Sequence, residues 1–467
     1  MKTNKGNQDL DIVAPFVELF HELLVMSATT LFQVVKFSIG KTWGLMRPSA
    51  PKVTKIERAN LAVKITTGLG AALGVDASSK KPFLLNDINT QRHSAIVGAS
   101  GFGKTNLISI LQEHSLKKDR PIIFIDPKGD LEAMTTFKEL CKSRGKPCYI
   151  FSEFYQDSIS LNPVLEGSVN QVSDRIMRSF TWSEEYYKSA CQRTLNKVLL
   201  EIQKDGKKFS LQNIYEYYLN HEDKSNSGLI NYLEAIILSD FGKVLSEDGK
   251  TFSEIRAEKS CLYIGLSTQG YGDTAMAIGK LILGELLYHS YKTLSTEQTS
   301  QTGLNNPISV YFDEFGAIVT PEFIELLNKC RGAGIELTLA FQTGADIDRV
   351  DPELTRQIIE NTANIFILKQ RLQDSASFFS EAIGTVISQK QTFRFEDGER
   401  LKMGSEREVH ELLVHPDIIK NLGIGQCVLL QQGPTRLNLI NIRNRELTRR
   451  LHTNQVVRPR KKGSLKI

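Results

Sequence analysis

The 467-residue sequence predicts an α/β fold in which a mainly parallel sheet is interrupted by an all-α insertion. From His93 to about Phe154, short apolar runs alternate with stretches of helical periodicity, which is the pattern of a parallel sheet covered by helices. After Asn162-Pro163 the periodicity is helical as far as residue 255. Strand-like runs resume between residues 260 and 368, so the sheet is interrupted once and then completed.

The composition is that of a soluble globular protein, with 41% hydrophobic and 24% charged residues. This balance excludes a disordered or fibrous chain, and the length favours roughly two or three domains. The six cysteines form no C-x-x-C pair and no metal-ligand spacing. We expect them to be reduced thiols of a cytosolic protein.

Residues 98–105 form a complete phosphate-binding loop of the type G-x-x-x-x-G-K-T. The strand-like run His93–Val97 precedes the loop and the helix-like run Asn106–Gln112 follows it, which is the order that such a loop requires. Its backbone N–H groups would enclose the phosphates of ATP, while Lys104 would reach the β- and γ-phosphates and Thr105 would bind Mg²⁺. The predicted nucleotide-binding residues are Gly98, Ala99, Ser100, Gly101, Phe102, Gly103, Lys104 and Thr105.

An apolar run at residues 308–312 ends in two adjacent carboxylates, Asp313 and Glu314. Such a sequence also occurs at ordinary strand ends. Downstream of a phosphate loop, however, it supplies what phosphoryl transfer needs. Asp313 is predicted to hold Mg²⁺ together with Thr105, and Glu314 is predicted to polarise the attacking water.

Two further residues are candidates for the catalytic site. Gln342 follows the strand-like run 335–341, and at the carboxyl edge of a parallel sheet it would contact the catalytic water or the γ-phosphate. Arg331 lies in the connection before that strand and would reach a neighbouring subunit as an arginine finger. The alternatives are a turn glutamine and a solvated arginine at a helix end.

The turn Asp126-Pro127-Lys128-Gly129-Asp130 follows the strand after the phosphate-loop helix. It would adjoin the nucleotide or the next subunit. Turn chemistry alone explains the same residues equally well.

The helical insertion carries basic and aromatic residues that would track a phosphate backbone and stack on bases. The alternative is a solvated basic face. The residues are Arg175, Arg178, Lys188, Arg193 and Lys197, with Trp182, Tyr186 and Tyr187.

The two ends of the chain differ from the rest. Leu23–Val35 has no charged residue but is shorter than the ~20 residues of a membrane-spanning helix, which favours an interfacial or partner-packing helix. From Arg443 onward, basic residues far outnumber the single acid Glu446. This tail would contact phosphates, an acidic partner or a lipid surface, or remain solvated.

The phosphate loop, the turn at 126–130, Asn162-Pro163 before a helical insertion, the segment 311–316 and Gln342-Thr343 occur in one order along the chain. In that order they resemble a type IV coupling protein of the TraD/TraG-like kind. Such proteins are conjugative DNA-transfer ATPases of the HerA/FtsK superfamily. The resemblance spans roughly residues 85–435.

The resemblance implies a RecA-like P-loop motor domain that assembles as a homo-hexamer with ATP and Mg²⁺ at subunit interfaces. It implies that DNA, attached to a relaxase of the relaxosome, is driven toward the channel proteins of a type IV secretion system without sequence preference. It also implies a location on the cytoplasmic side of the inner membrane. Most members have clear N-terminal membrane spans, and some have a long acidic C-terminal extension, and this sequence departs from both patterns.

We therefore divide the chain into four regions. They are an N-terminal leader at 1–60, associated with a membrane or partner, a RecA-like nucleotide-binding domain at 61–163 and 256–440, an all-α insertion domain at 164–255, and a basic tail at 441–467.

The leading hypothesis is an ATP-driven DNA translocase of a conjugation system. The alternatives are a protein-secretion or assembly ATPase that does not act on DNA, and a chromosomal HerA/FtsK-like DNA-processing motor.

Overall fold

The structure, a computed structural model, describes residues 70–220, 227–295, 306–396, 399–432 and 435–445. The leader, with Leu23–Val35, and all but the first residues of the basic tail lie outside the described residues. No helix in the described ranges is long and apolar enough to cross a membrane.

The strands of the described chain are β1 Gly70–Asp76, β2 Pro82–Asn86, β3 Ser94–Val97, β4 Ile122–Asp126, β5 Cys148–Phe151, β6 Cys261–Gly265, β7 Ile308–Phe312, β8 Ile335–Phe341, β9 Asn364–Ile367, β10 Thr385–Glu396, β11 Glu399–Leu412, β12 Gln426–Gln431 and β13 Arg436–Ile442. The helices are α1 Asp87–Thr90, α2 Lys104–Lys117, α3 Leu131–Ser143, α4 Val169–Ser179, α5 Glu185–Lys204, α6 Leu211–Leu219, α7 Ser227–Leu238, α8 Phe252–Ala257, α9 Thr268–Ser295, α10 Phe323–Lys329, α11 Gly344–Asp348, α12 Leu354–Asn361, α13 Gln373–Ile383 and α14 Pro416–Lys420.

The main sheet has 11 strands in the order β2-β1-β13-β12-β9-β3-β8-β7-β4-β6-β5. From β9 to β5 all neighbours pair in parallel. These strands are mainly apolar, and all except the edge strand β5 are buried along their whole length. The remaining strands extend the sheet with antiparallel pairs beyond β9. The predicted α/β class with a mainly parallel sheet is therefore confirmed.

Between β5 and β6, the described residues form helices α4 to α8 and no strand of the main sheet. Two capping boxes fix helix starts here, Ser168 with Gln171 at α4 and Thr251 with Glu254 at α8. The segment leaves and returns at one place, because the backbone N–H of Leu161 donates to Val244 O and that of Asn162 donates to Lys250 O. One hydrophobic cluster joins these helices to one face of the sheet, so the boundaries at 163/164 and 255/256 stay a prediction.

The sequence analysis did not predict β10 to β13. β10 and β11 form a separate two-stranded hairpin whose sequence has no long apolar run, and β12 and β13 extend the sheet by antiparallel pairing. All six cysteines are free, and all but Cys148 are buried.

A buried ion pair lies on the face of the sheet opposite the helices α4 to α8. Arg120 Nη1 lies 2.7 Å from Glu336 Oε2, and Ser309 Oγ donates to the same carboxylate oxygen at 3.2 Å. Burial raises the pKa of Glu336 to about 7 although Arg120 and Ser309 act in the opposite direction. Because the folded pKa is raised, Glu336 stabilises the fold below its ordinary pKa of 4.5, and that contribution is lost as the pH rises through about 7.

We predict that Glu336→Gln flattens the pH dependence of stability. Between about pH 5.5 and about pH 8 the wild type should lose more stability than the variant, since a pKa shift corresponds to about 1.4 kcal/mol per unit. Thermal unfolding at the two pH values measures the difference, with exposed Glu360→Gln as the control. An equal loss in wild type and Glu336→Gln would contradict the assignment.

Candidate nucleotide site

The loop after β3 has the backbone of a phosphate cradle. Gly101 has φ +81° and Gly103 has φ +103°, in the left-handed region that side chains other than glycine rarely adopt. At Gly98 a Cβ atom would lie 2.6 Å from Leu368 Cβ, so a larger residue does not fit between the loop and the end of β9. Gly101 and Gly103 are thus required by their backbone conformation and Gly98 by lack of space, and helix α2 begins directly at Lys104.

Lys104 is buried and lies inside this cradle. Its Nζ donates to Gly98 O at 2.8 Å and lies 3.7 Å from Glu314 Oε1. Burial lowers the pKa of Lys104, and the nearby carboxylates of Glu314 and Asp313 oppose that shift. The ammonium group is therefore enclosed by acceptors at the position where the sequence places the β- and γ-phosphates.

Thr105 and Asp313 meet although they are far apart in sequence. Thr105 Oγ1 donates to Asp313 Oδ2 at 2.9 Å. Asp313 is buried, and burial, followed by the charge of Asp126, raises its pKa. A hydroxyl and a carboxylate at one point are hard oxygen ligands of the kind Mg²⁺ takes, with waters and phosphate oxygens completing its shell. The residues present therefore fit Mg²⁺.

Glu314 is held by two hydrogen-bond donors, Lys128 and Gln342. Lys128 Nζ lies 2.7 Å from its Oε1, and Gln342 Nε2 lies 3.1 Å from Oε1 and 3.0 Å from Oε2. Burial alone would raise the pKa of Glu314, but the hydrogen bond from Lys128 and the charges of Lys104 and Lys128 bring it below its ordinary value. Its backbone has φ 54°, an uncommon conformation for a residue other than glycine and typical of functional sites.

The sheet order explains why these side chains meet. β8, which ends before Gln342, lies between β3, which leads into the phosphate loop, and β7, which leads into Asp313 and Glu314. Parallel pairing places the carboxyl ends of all three strands at one edge. The structure thus brings the phosphate loop, Asp313, Glu314 and Gln342 together, as their sequence positions imply, while their catalytic roles stay predictions.

Lys128 was not among the predicted site residues, although the turn that carries it was noted. The signal in the sequence was a lysine in a rigid turn at the end of a strand. The sequence does not show that β4 pairs with β7, and this pairing brings the turn next to Glu314. Lys128 is thus the residue at this edge that sequence reasoning missed.

Arg331 lies elsewhere in its own subunit. It is exposed and sits in the connection before β8, at the amino edge of the sheet. There its charge, after burial, helps to lower the pKa of His93 to about 4. The structure therefore does not bring Arg331 to the phosphate loop of the same chain, and a role in a neighbouring subunit stays a prediction.

The basic and aromatic residues of the helical segment separate into two groups. Arg175 is wrongly assigned to a DNA-binding face. It is buried, and its guanidinium donates hydrogen bonds to the backbone carbonyls Pro163 O and Glu166 O, so it does not face a DNA backbone. Trp182 is half-buried, packs on Tyr232 and donates to Met177 O. Tyr186 and Tyr187 are exposed, as are Arg178, Arg193 and Lys197.

Two protein families match this sequence. Residues 77–258 match the central domain of the HerA helicase, and residues 307–423 match the TraM recognition site of TraD and TraG. The first range contains the phosphate loop and the helical segment, and the second contains Asp313, Glu314 and Gln342. The resemblance to a TraG/TraD-like coupling protein is thereby confirmed.

Solved structures share the fold at low sequence identity. The bacterial conjugative coupling protein TrwBΔN70 in an unbound form has a TM-score of 0.59 and 15% identity, over 81% of this chain and 91% of that one. The plasmid coupling protein TrwB in complex with ADP and Mg²⁺ has a TM-score of 0.57 and 15% identity, over 80% and 89%. VirB4 of Thermoanaerobacter pseudethanolicus has a TM-score of 0.54 and 14% identity, over 81% and 97%. The chain therefore has a TrwB-like, RecA-type ATPase fold.

One curated relative matches a short stretch only. An uncharacterized protein of Mycoplasma pneumoniae is 38% identical over 47 residues, which is 10% of this chain and 39% of that protein. The chain thus spans well under half the length of this relative.

We predict that two variants of the site separate binding from hydrolysis. Lys104→Ala should weaken ADP and ATP binding by about 10- to 100-fold, because it removes charge-assisted hydrogen bonds to the phosphates. Glu314→Gln should retain binding but lose hydrolysis by about 100- to 10,000-fold. Equilibrium binding of a fluorescent nucleotide and phosphate release measure the two effects, and exposed Lys142→Ala serves as the control. Normal turnover by Glu314→Gln would remove Glu314 from its role.

Proposed function

We propose that this chain, TraG/TraD-like in sequence and TrwB-like in fold, is an ATP-hydrolysing motor that moves DNA, with an attached relaxase, toward a type IV secretion channel. The main support for ATP hydrolysis is that five side chains lie together at one edge of the parallel sheet: Lys104, Thr105, Asp313, Glu314 and Gln342. Those side chains are what binding and hydrolysis of a nucleoside triphosphate require.

In the proposed reaction, Thr105 and Asp313 would hold Mg²⁺, which would supply positive charge to the phosphates. Lys104 would exchange its contact with Gly98 O for phosphate oxygens. Glu314 orients the attacking water and accepts its proton. Gln342 holds the Glu314 carboxylate in place and lies at the edge where the γ-phosphate arrives.

The proposed DNA contact lies in the helical segment. Tyr186 is 78% exposed and Tyr187 is 52% exposed at the start of α5, although large aromatic side chains are usually buried. Exposed Arg178, Arg193 and Lys197 provide positive charge in the same segment. Exposed rings that stack on bases, with cations beside them, suit binding without sequence preference.

We also propose that the active form is a homo-hexameric ring. The location of Arg331 supports it, because an arginine at the amino edge of the sheet contributes to hydrolysis only if a neighbouring subunit presents its phosphate loop to that edge. An arginine finger supplied by another subunit would stabilise the charge of the transition state.

The partner proposals follow from the sequence family. The match of residues 307–423 to the TraM recognition site supports binding of a TraM-like relaxosome protein, with the relaxase and channel proteins as further partners. The location proposed for the motor is the cytoplasmic side of the inner membrane. The domain boundaries at 60/61, 163/164, 255/256 and 440/441 belong to the same proposal.

A second candidate is a HerA/FtsK-like motor that processes chromosomal DNA, which the match of residues 77–258 to the HerA central domain favours. Both candidates require DNA. A protein-secretion or assembly ATPase does not.

We predict that DNA stimulates ATP hydrolysis and that the stimulation falls steeply with salt, because binding releases counterions from the phosphates. A variant with both Tyr186→Ala and Tyr187→Ala should lose much of the stimulation, whereas exposed Tyr291→Ala should retain it. Phosphate release with single- and double-stranded DNA over a salt series measures both effects. If neither DNA changes the rate of the wild type, the translocase proposal fails and the secretion ATPase remains.

We predict that Arg331 acts between subunits. Arg331→Ala should abolish turnover in the assembled ring, and mixing it with Glu314→Gln subunits should restore part of the activity, because some interfaces then combine an intact Glu314 with an intact Arg331. Turnover of mixed rings, with mass measurement of the assembly, provides the readout. No recovery in verified mixed rings would exclude the finger.

A further inference from the structure

The turn after β4 is held rigidly by a buried carboxylate. Asp126 Oδ1 accepts the backbone N–H of Lys128 at 2.9 Å, and Oδ2 accepts that of Asp130 at 2.9 Å. Tyr263 Oη also donates to Oδ2, at 2.7 Å. These hydrogen bonds therefore fix the backbone position of Lys128.

A second set of contacts fixes the turn from the side of β6. Thr268 donates to Pro127 O through both its backbone N–H at 2.9 Å and its Oγ1 at 2.8 Å. Gly129 has φ +63°, and a Cβ atom there would lie 2.6 Å from Ser267 Oγ, so the turn fits closely against the residues that follow β6. Contacts from the end of β4 and from the residues after β6 thus determine the backbone position of Lys128.

From this fixed base, the Lys128 side chain reaches one atom of the site. Its Nζ lies 2.7 Å from Glu314 Oε1, the oxygen that Lys104 approaches only to 3.7 Å. Gln342 contacts both oxygens of the same carboxylate. The shortest contact to Glu314 therefore comes from a residue outside the phosphate loop and outside β7 and β8.

The contact has the character of an orienting interaction more than a stabilising one. The Lys128 side chain is 41% exposed and that of Glu314 is 15% exposed, so water screens the pair only in part and its contribution to stability is modest. A carboxylate on a backbone with φ 54° has its direction set by what binds its oxygens, and here a rigid turn supplies that donor.

We propose that Lys128, beside Gln342, is a positioning residue for Glu314: it holds Oε1, and so directs the carboxylate toward the water that attacks the γ-phosphate. The proposal rests on the proposed ATP hydrolysis at this site. Misplacement of a catalytic group by about 1 Å costs about 100-fold in rate, which gives one hydrogen bond a large effect on turnover.

Two other roles for Lys128 give different kinetics. A lysine that binds phosphate directly would change nucleotide affinity when it is removed. A lysine that restrains Glu314 from acting would raise the rate when it is removed. A positioning lysine lowers kcat and leaves affinity unchanged.

The test compares Lys128→Met, which keeps the length and removes the charge, with Lys128→Arg, which keeps a donor. Lys128→Met should lower kcat by about 10- to 100-fold with KM and nucleotide affinity changed by less than about 2-fold, and Lys128→Arg should recover part of kcat. Exposed Lys142→Met is the control. A raised KM with unchanged kcat, or an unchanged or raised kcat, would overturn the proposal.

The combination with Glu314→Gln gives a second readout. If Lys128 acts through Glu314, adding Lys128→Met to Glu314→Gln should lower the residual rate by less than about 2-fold, since residues that act as a unit are not additive. A full additional loss would show that Lys128 acts elsewhere.

The thermal unfolding midpoints of the nucleotide-free proteins give a third readout, in the form of a double-mutant cycle. The shifts caused by Lys128→Met and Glu314→Gln should not sum in the double variant, because the two side chains are in contact. Additive shifts would overturn the pairing. If the wild type turns over no ATP, the proposed function fails, whereas additive thermal shifts separately show that Lys128 does not hold Glu314.

Discussion

The candidate site depends on the parallel pairing of β3, β8, β7 and β4, which brings four strand ends to one edge. Each strand delivers a different component there: the phosphate loop, Gln342, the Asp313-Glu314 pair and the turn with Lys128. A shift of one residue in any of these registers would turn the delivered side chain to the opposite face. Burial of the strands on both faces therefore determines the geometry of the site as well as the stability of the sheet.

The charges at this edge explain why a divalent cation suits it. Asp126 and Asp313 are both buried, and burial raises the pKa of each while their mutual repulsion adds to the shift of Asp313. Tyr263 and backbone N–H groups satisfy Asp126, whereas Asp313 has the hydroxyl of Thr105. A cation at Thr105 and Asp313 would relieve that repulsion, and the phosphates that accompany it would then compensate the charge of Lys104, while Lys128 stays paired with Glu314.

Local patterns made part of the site predictable from sequence. The phosphate loop and the segments that end in Glu314 and Gln342 are each a single short stretch of sequence. The residue types of each could therefore be recognised together with the strand beside it. Lys128 was not assigned to the site because its contact with Glu314 joins residues 186 positions apart. Arg175 was wrongly assigned because a charge pattern does not distinguish a solvated guanidinium from one buried against carbonyl oxygens. β10 and β11 lack the apolar run by which the central strands were recognised.

The turn that carries Lys128 also contacts the start of a helix that packs against the helical segment. Helix α9 begins at Thr268, which donates twice to Pro127 O, and continues to Gly284, where a Cβ atom would lie 2.6 Å from Arg175 Cγ. Arg175 in turn lies in α4 and packs over the ring of Tyr288. Helix α9, which is kinked at Gly272, thus contacts both the turn beside Glu314 and the segment that carries the exposed tyrosines. Continuous packing of this kind, from a fixed turn through a helix to a neighbouring segment, is one physical means by which two sites can be coupled.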